Sequence, residues 1–154
     1  MSDIQIQLTD GAPQPFEAGH SVAKALQKLG VAGDHDVVAA QVNGRLMDLD
    51  APLKADCTIA PVSQDSPLGL DIVRHSAAHI MAEAVRSLFP GVKITIGPAI
   101  ETGFYYDFDP PRPFTPEDLE RIEARMQELV RQDLPFSRRE VSWQEAVDFF
   151  KSQG

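Results

Sequence analysis

The alternation of polar and apolar positions in residues 1–62 predicts a small sheet covered by one helix. Five stretches have the pattern of short strands: "DIQIQL", "PFEA", "DVVAAQV", "RLMDL" and "CTIAPV". The dipeptide Asn43-Gly44 joins the third stretch to the fourth and is typical of a tight type I′ hairpin. In "HSVAKALQKLG" the apolar positions recur at helical spacing instead, and Gly30 ends the predicted helix. The predicted order is therefore β-β-α-β-β-β.

The pattern changes after this first part. Residues 63–69 ("SQDSPLG") are rich in polar residues, Pro and Gly and predict a linker. Residues 70–89 predict a long helix with one broad apolar stripe. We expect that stripe to face the core; its members are Leu70, Val73, Ala77, Ile80, Met81, Ala84 and Leu88. The stretches "KITIGPAI" and "GFYYDFD" then predict two strands joined by the tight "ETG".

Helix-capping signals dominate the end of the chain. Thr115-Pro116-Glu117-Asp118 combines an N-cap hydroxyl, a proline at the first helical position and an acid three residues on. The helix that follows has a predicted apolar face of Leu119, Ile122, Met126, Leu129 and Val130. "FSRREVS" predicts a strand, and Ser142 with Glu145 predicts the start of a final short helix. The second part of the chain has too few strands and helices to form a complete sheet domain with protected edges. We therefore expect the chain to stop inside a domain.

Composition and charge exclude several classes of protein. A length of 154 residues with 43% hydrophobic content suits one ordinary domain or two small ones. The net charge of −9 argues against nucleic-acid binding through a broad basic face. A single cysteine, Cys57, excludes an internal disulfide framework and favours a reducing compartment. Without a signal-peptide pattern or an apolar run of about 20 residues, a cytoplasmic protein with no membrane partner is expected.

The long helix carries two histidines four residues apart, in "RHSAAH". His75 and His79 lie opposite the predicted apolar stripe, so they are not expected to be core histidines. Residues four apart on a helix have Cβ atoms about 5–6 Å from one another, and two imidazoles there can converge on one metal, water or hydroxyl. The alternative, two imidazoles on a solvated face, is the commoner outcome for so short a motif.

A metal-protease site is not indicated around this pair. Ser76 follows His75, so the H-E-x-x-H pattern with its built-in base is absent. Glu83 lies about 12 Å from His75 along the helix axis, too far for both to bind one zinc ion directly. Cys57, His20 and His35 belong to the first part of the chain. From spacing alone, the pair is half of a site.

The stretch "IGPAIETGFYYDFD" has more glycine, proline and aromatic residues than a plain hairpin needs. Gly97-Pro98 allows close approach of the backbone and then fixes the next φ angle. Tyr105 and Tyr106 alternate faces, so they cannot both be core residues. A half-buried aromatic patch and a pocket wall of Gly97 with one phenol are both compatible with the sequence.

Together these motifs resemble a known family. "IVRHSAAHIMAEAVRSLFPGVKITIGPAIETGFYYDF" resembles the opening of the editing domain of bacterial threonyl-tRNA synthetases, a motif set shared in part with alanyl-tRNA editing proteins. "IQLTDGAPQPFEAGHSVAKAL" and "VNGRLMDL" resemble the TGS domain that precedes it, and "DLERIEARMQELV" and "REVSWQEAVDFF" continue the resemblance. It implies an α+β fold, with a β-grasp (ubiquitin-like) TGS domain at residues 1–62, a linker at 63–69 and an incomplete α+β editing domain at 70–154.

The resemblance also implies functional roles. The editing domain hydrolyses serine wrongly attached to threonine tRNA, with His75 and His79 as catalytic residues and Gly97 and Tyr106 as substrate-binding residues. No metal is expected at that site, and the family's Cys and further His lie beyond residue 154, so the chain alone is expected to be inactive. An RNA- or protein-binding TGS module and a zinc-dependent alanyl-type deacylase are the alternatives.

For the full enzyme, the resemblance implies ATP-dependent charging of threonine tRNA. The expected partners are the acceptor end of that tRNA and the rest of the synthetase, which forms a homodimer. ATP, Mg and Zn bind to a catalytic core outside these residues, and no cofactor is expected within them.

Overall fold

The first part of the chain is a five-stranded mixed sheet with one helix. The computed structural model describes residues 3–31, 36–135 and 139–152. The elements are β1 (Asp3–Leu8), β2 (Gln14–Glu17), α1 (Val22–Lys28), β3 (Val37–Val42), β4 (Arg45–Met47) and β5 (Cys57–Ser63). The strand order is β2-β1-β5-β3-β4, with β1 and β5 parallel and the other pairs antiparallel. The predicted order β-β-α-β-β-β is confirmed.

Alternation along the strands places the core of this sheet on the face covered by α1. Ile6 and Ile59 are fully buried in the same cluster as Val22 of α1. The β3–β4 hairpin closes through Asn43 and Gly44, whose φ angles of 50° and 77° are those of the predicted type I′ turn.

The second part is helical, with short strands between the helices. Its elements are α2 (Pro67–Leu88), β6 (Lys93–Ile94), β7 (Ala99–Ile100), β8 (Gly103–Phe104), β9 (Phe108–Asp109), α3 (Pro116–Arg131) and α4 (Trp143–Ser152). The two predicted strands are instead split into two nested antiparallel pairs, β6–β9 and β7–β8. Pro98 lies at the break, where it has no N–H to donate to a ladder. The mixed helix and strand content confirms the α+β class.

Helix α2 begins three residues earlier than predicted. Ser66 caps it by accepting a hydrogen bond from the Gly69 N–H, and Pro67 occupies the first turn. Gly69 packs directly against the Ser63 backbone, and a Cβ there would collide with the Ser63 carbonyl. The last three residues of the predicted linker are therefore helical.

The buried face of α2 differs from the predicted stripe. Its buried residues include Ala78, Ala82, Ala84 and Val85, whereas Leu70 and Val73 are 37% and 41% exposed. The helix contacts α3 and also strands β3 and β5. On β3, Ala39 lies on the face opposite Ala40 and is still buried. Part of the predicted stripe is nonetheless in the core: Ala84 is buried, and Met81 and Leu88 pack against the same cluster.

The last two helices agree in part with prediction. Ile122 of α3 packs with Val85 and Phe89, but Leu119 and Val130 are exposed, because only one edge of the predicted face meets α2. The α3 capping box is formed as predicted. Of "FSRREVS", residues 136–138 lie outside the described residues and residues 139–142 form no strand. Within the described ranges, no helix is long and apolar enough to cross a membrane.

Candidate functional site

The two histidines of α2 meet at their ring nitrogens. The Nε2 atoms of His75 and His79 lie 3.0 Å apart, and the rings stand edge to face with centroids 4.6 Å apart. Both residues are exposed. The pair therefore lies outside the core, as predicted, and its two rings are in contact.

This contact restricts the proton states of the pair. At 3.0 Å, one Nε2 donates its N–H and the other accepts through its lone pair, so the two neutral rings are opposite tautomers.

Gly97 and Tyr106 form a second contact on the hairpin side. The Tyr106 ring lies so close to Gly97 that a Cβ on Gly97 would collide with it. Tyr106 also stacks on Phe108, with centroids 5.0 Å apart and an interplanar angle of 19°. Tyr106 is half-buried whereas Tyr105 is exposed, so the two tyrosines occupy different environments, as predicted.

Helix α2 contacts both β7 and β8, the hairpin strands that lie between Gly97 and Tyr106 in the sequence. Arg74, the neighbour of His75, donates a hydrogen bond from Nη1 to the Ile100 carbonyl of β7 at 3.3 Å. This bond was not predictable from sequence patterns, because its acceptor is a backbone carbonyl that every residue possesses.

A charge cluster links the loop after β9 to the start of α3. The Asp118 carboxylate is 3% exposed and accepts hydrogen bonds from the Arg112 guanidinium at 2.5 and 3.0 Å. Arg121 and the Thr115 N–H also donate to it. Its hydrogen bonds to Arg112, and next that to Thr115, hold the pKa of Asp118 well below its usual range. The cluster was not predicted beyond the capping box.

The residues around the histidines do not fit a zinc site. Among the described residues, no group of three or more His, Cys, Asp or Glu could hold a metal ion, and two imidazoles are half of the ligands that zinc takes. Glu83 forms an ion pair with Arg86 at 2.9 Å.

The other ligand candidates lie in the first part of the chain. Cys57 is buried in the sheet domain, where burial, and next the Asp56 carboxylate, raises the pKa of its thiol. His20 bonds to Glu17, and His35 lies outside the described residues.

Comparison with known proteins places these features in context. No family model matches the sequence. The threonine–tRNA ligase of Geobacter sp. (strain M21) is 46% identical over 154 residues, which are 100% of this chain and 24% of that ligase. The ligase of Aromatoleum aromaticum is 48% identical over 149 residues, 97% of this chain and 23% of its own length.

A third relative has the same extent of match. The threonine–tRNA ligase of Symbiobacterium thermophilum is 44% identical over 153 residues, 99% of this chain and 24% of that protein. The chain thus spans about a quarter of the length of the curated relatives it matches. It is homologous, from end to end, to the N-terminal quarter of threonine–tRNA ligases.

Proposed function

We propose that the chain is the N-terminal region of a threonine–tRNA ligase and that its second part contributes to a site that hydrolyses seryl-tRNA(Thr). The observation that carries the proposal is the match along the whole chain to threonine–tRNA ligases. Under this proposal, residues 1–62 are a TGS domain and residues 70–154 begin the editing domain. The five-stranded mixed sheet with a single helix supports the first assignment.

A hydrolytic site overcomes a physical limit on how well binding alone can select one amino acid. Serine lacks one methyl group of threonine, and a pocket that accepts threonine can favour it over the smaller serine by only about 1–3 kcal/mol. A second site that removes the smaller product supplies the remaining selectivity. The charging reaction, its ATP, Mg and Zn, and the dimer contacts then belong to parts of the ligase outside this chain.

The paired imidazoles are suited to proton transfer in this hydrolysis. Water attacks the seryl carbonyl carbon, the bond from that carbon to the ribose oxygen of the terminal adenosine breaks, and the ribose oxygen gains a proton. One imidazole of the His75–His79 pair accepts the proton of the attacking water. The other donates a proton to the departing ribose oxygen, and the first ring passes the proton it has taken to the second across the Nε2–Nε2 contact.

Gly97 and Tyr106 are proposed as the wall that meets the seryl group and the terminal adenosine. The ring occupies the space that a side chain at residue 97 would need. Stacking on Phe108 fixes the plane of that ring. The Arg74–Ile100 bond holds the hairpin beside the helix that carries the histidines.

A chimera tests the proposal. In it, this chain replaces the matched quarter of the Geobacter ligase, and both threonylation of tRNA(Thr) and hydrolysis of seryl-tRNA(Thr) are measured. We expect both activities, with hydrolysis lost and threonylation kept in the His75→Ala/His79→Ala variant. The matched control is His20→Ala, which removes a half-buried histidine from the connection between β2 and α1 and should change neither. A chimera that charges tRNA but hydrolyses seryl-tRNA equally well with and without the pair would contradict the editing role.

A further inference from the structure

Helix α4 presents an apolar face that the rest of the described chain leaves uncovered. Trp143, Ala146, Val147 and Phe150 follow the spacing i, i+3, i+4, i+7 and lie along one side of the helix. Trp143 is 78% exposed and Phe150 is 70% exposed, and no residue of α4 is buried. We call these four residues the aromatic face of α4.

The sequence specifies this helix although the described residues give it little support. Ser142 and Glu145 form a reciprocal capping box: the Ser142 N–H donates to the Glu145 carboxylate, and the Glu145 N–H donates to the Ser142 hydroxyl. On the polar side, Gln144 donates to Asp148. A helix of ten residues is marginal in water when isolated, and most helical stability comes from packing of its apolar face. Anchors at this spacing are typical of a helix that lies in an apolar groove.

We infer that the aromatic face of α4 docks onto an apolar surface of the same ligase, formed by residues outside this chain. The inference rests on the proposed function, because it takes the chain as a region of a ligase. The match to the Geobacter relative includes all of α4 and only 24% of that relative. About three quarters of the relative's polypeptide is therefore available to cover the face. A covalently attached surface also has a high effective concentration, so a short face is sufficient.

A second copy of the chain is a poorer occupant. A stable interface buries about 800 Å² of surface on each partner. A ten-residue helix offers one short apolar face, most of it two aromatic rings that can bury about 150–250 Å² each. The net charge of −9 further opposes association of two copies.

Amide hydrogen exchange with peptide-level mass spectrometry tests the inference. It compares α4 in the isolated chain with α4 in the chimera that joins this chain to the rest of the Geobacter ligase. We expect the α4 amides to exchange freely in the isolated chain and at least about tenfold more slowly in the chimera, because burial of the face suppresses local opening. Peptides from β5 serve as the internal folding reference in both samples.

Two matched substitutions locate the contact. In the chimera, Phe150→Gln should abolish the added protection, whereas Asp148→Gln on the polar side should retain it. Equal exchange of α4 in the isolated chain and the chimera would overturn the inference. Slow exchange of α4 in the isolated chain would also overturn the inference. This holds for a monomer, and for a dimer that sedimentation shows to dissociate in the Phe150→Gln variant. Threonylation and seryl-tRNA hydrolysis by the same chimera report on the proposed function separately.

Discussion

The Nε2 atoms of His75 and His79 face each other at 3.0 Å on the exposed side of α2. In this contact one ring donates its Nε2 N–H and the other accepts it, which leaves one Nδ1 as an acceptor and the other as a donor. The contact also means that each ring depends on the other for its tautomer.

Substitution of Gly97 should reposition the Tyr106 ring. Gly97→Ala places a Cβ inside the space of that ring, and we expect a loss of about 1–3 kcal/mol in the free energy of unfolding, typical of overpacking. Seryl-tRNA hydrolysis by the chimera should fall as well. Chemical denaturation of the chain and single-turnover hydrolysis by the chimera measure the two effects.

Two further variants check this explanation. Gly103→Ala meets no atom within 4 Å of the added Cβ and should leave stability nearly unchanged. Tyr106→Val in the Gly97→Ala background should recover part of the lost stability, since it removes the colliding ring. A Gly97→Ala protein as stable as the Gly103→Ala protein would show that the Gly97–Tyr106 contact is not tight.

Gly69→Ala should destabilise the chain, although Ala is the better helix former. In an open helix the change would stabilise by about 1 kcal/mol, but here the added Cβ collides with the Ser63 backbone. Backbone cannot move aside as a flexible side chain can, so α2 must shift away from β5. Urea unfolding of the variant gives the sign directly, and an increase in stability would contradict the close packing at the start of α2.

Asp118→Asn should lower stability in a pH-dependent manner. The pKa of Asp118 is lowered in the folded chain by its bonds to Arg112 and Thr115. Its contribution is therefore present above the unfolded pKa of about 3.9 and is lost as pH falls toward the lower folded pKa. The melting temperature of the variant should be several degrees lower near neutral pH, and the difference should shrink below about pH 4.

Thermal unfolding followed by circular dichroism across this pH range measures the effect. Glu123→Gln, at an exposed position of the same helix, is the matched control and should differ little from the parent at neutral pH. A constant difference between Asp118→Asn and the parent at every pH would mean that the carboxylate charge does not stabilise the folded chain.

Local signals predicted local structure well. The strand alternation around Ile4 and Ile6, the Asn43-Gly44 turn and the capping boxes at Thr115 and Ser142 all depend on neighbours within a few residues. The contact of the histidine pair was predictable for the same reason, since a helix fixes the geometry of residues four apart.

Features that depend on tertiary packing were not predicted. On α2, Ala78 and Ala82 are buried, whereas Leu70, a member of the predicted apolar stripe, is 37% exposed. The Arg74–Ile100 bond joins α2 to the hairpin, and the ion pair of Arg112 with Asp118 joins the loop after β9 to α3. Hydrophobic periodicity carries no information about such pairings.

The central claim is that His75 and His79 act together in hydrolysis of seryl-tRNA(Thr). The most direct test is the single-turnover rate of that hydrolysis by the chimera, measured for the parent, His75→Ala, His79→Ala and the double variant. We predict a loss of about 10²- to 10⁴-fold for each single variant and little further loss in the double variant, because residues that act as a unit are not additive. Hydrolysis at the parent rate by the double variant would contradict the claim.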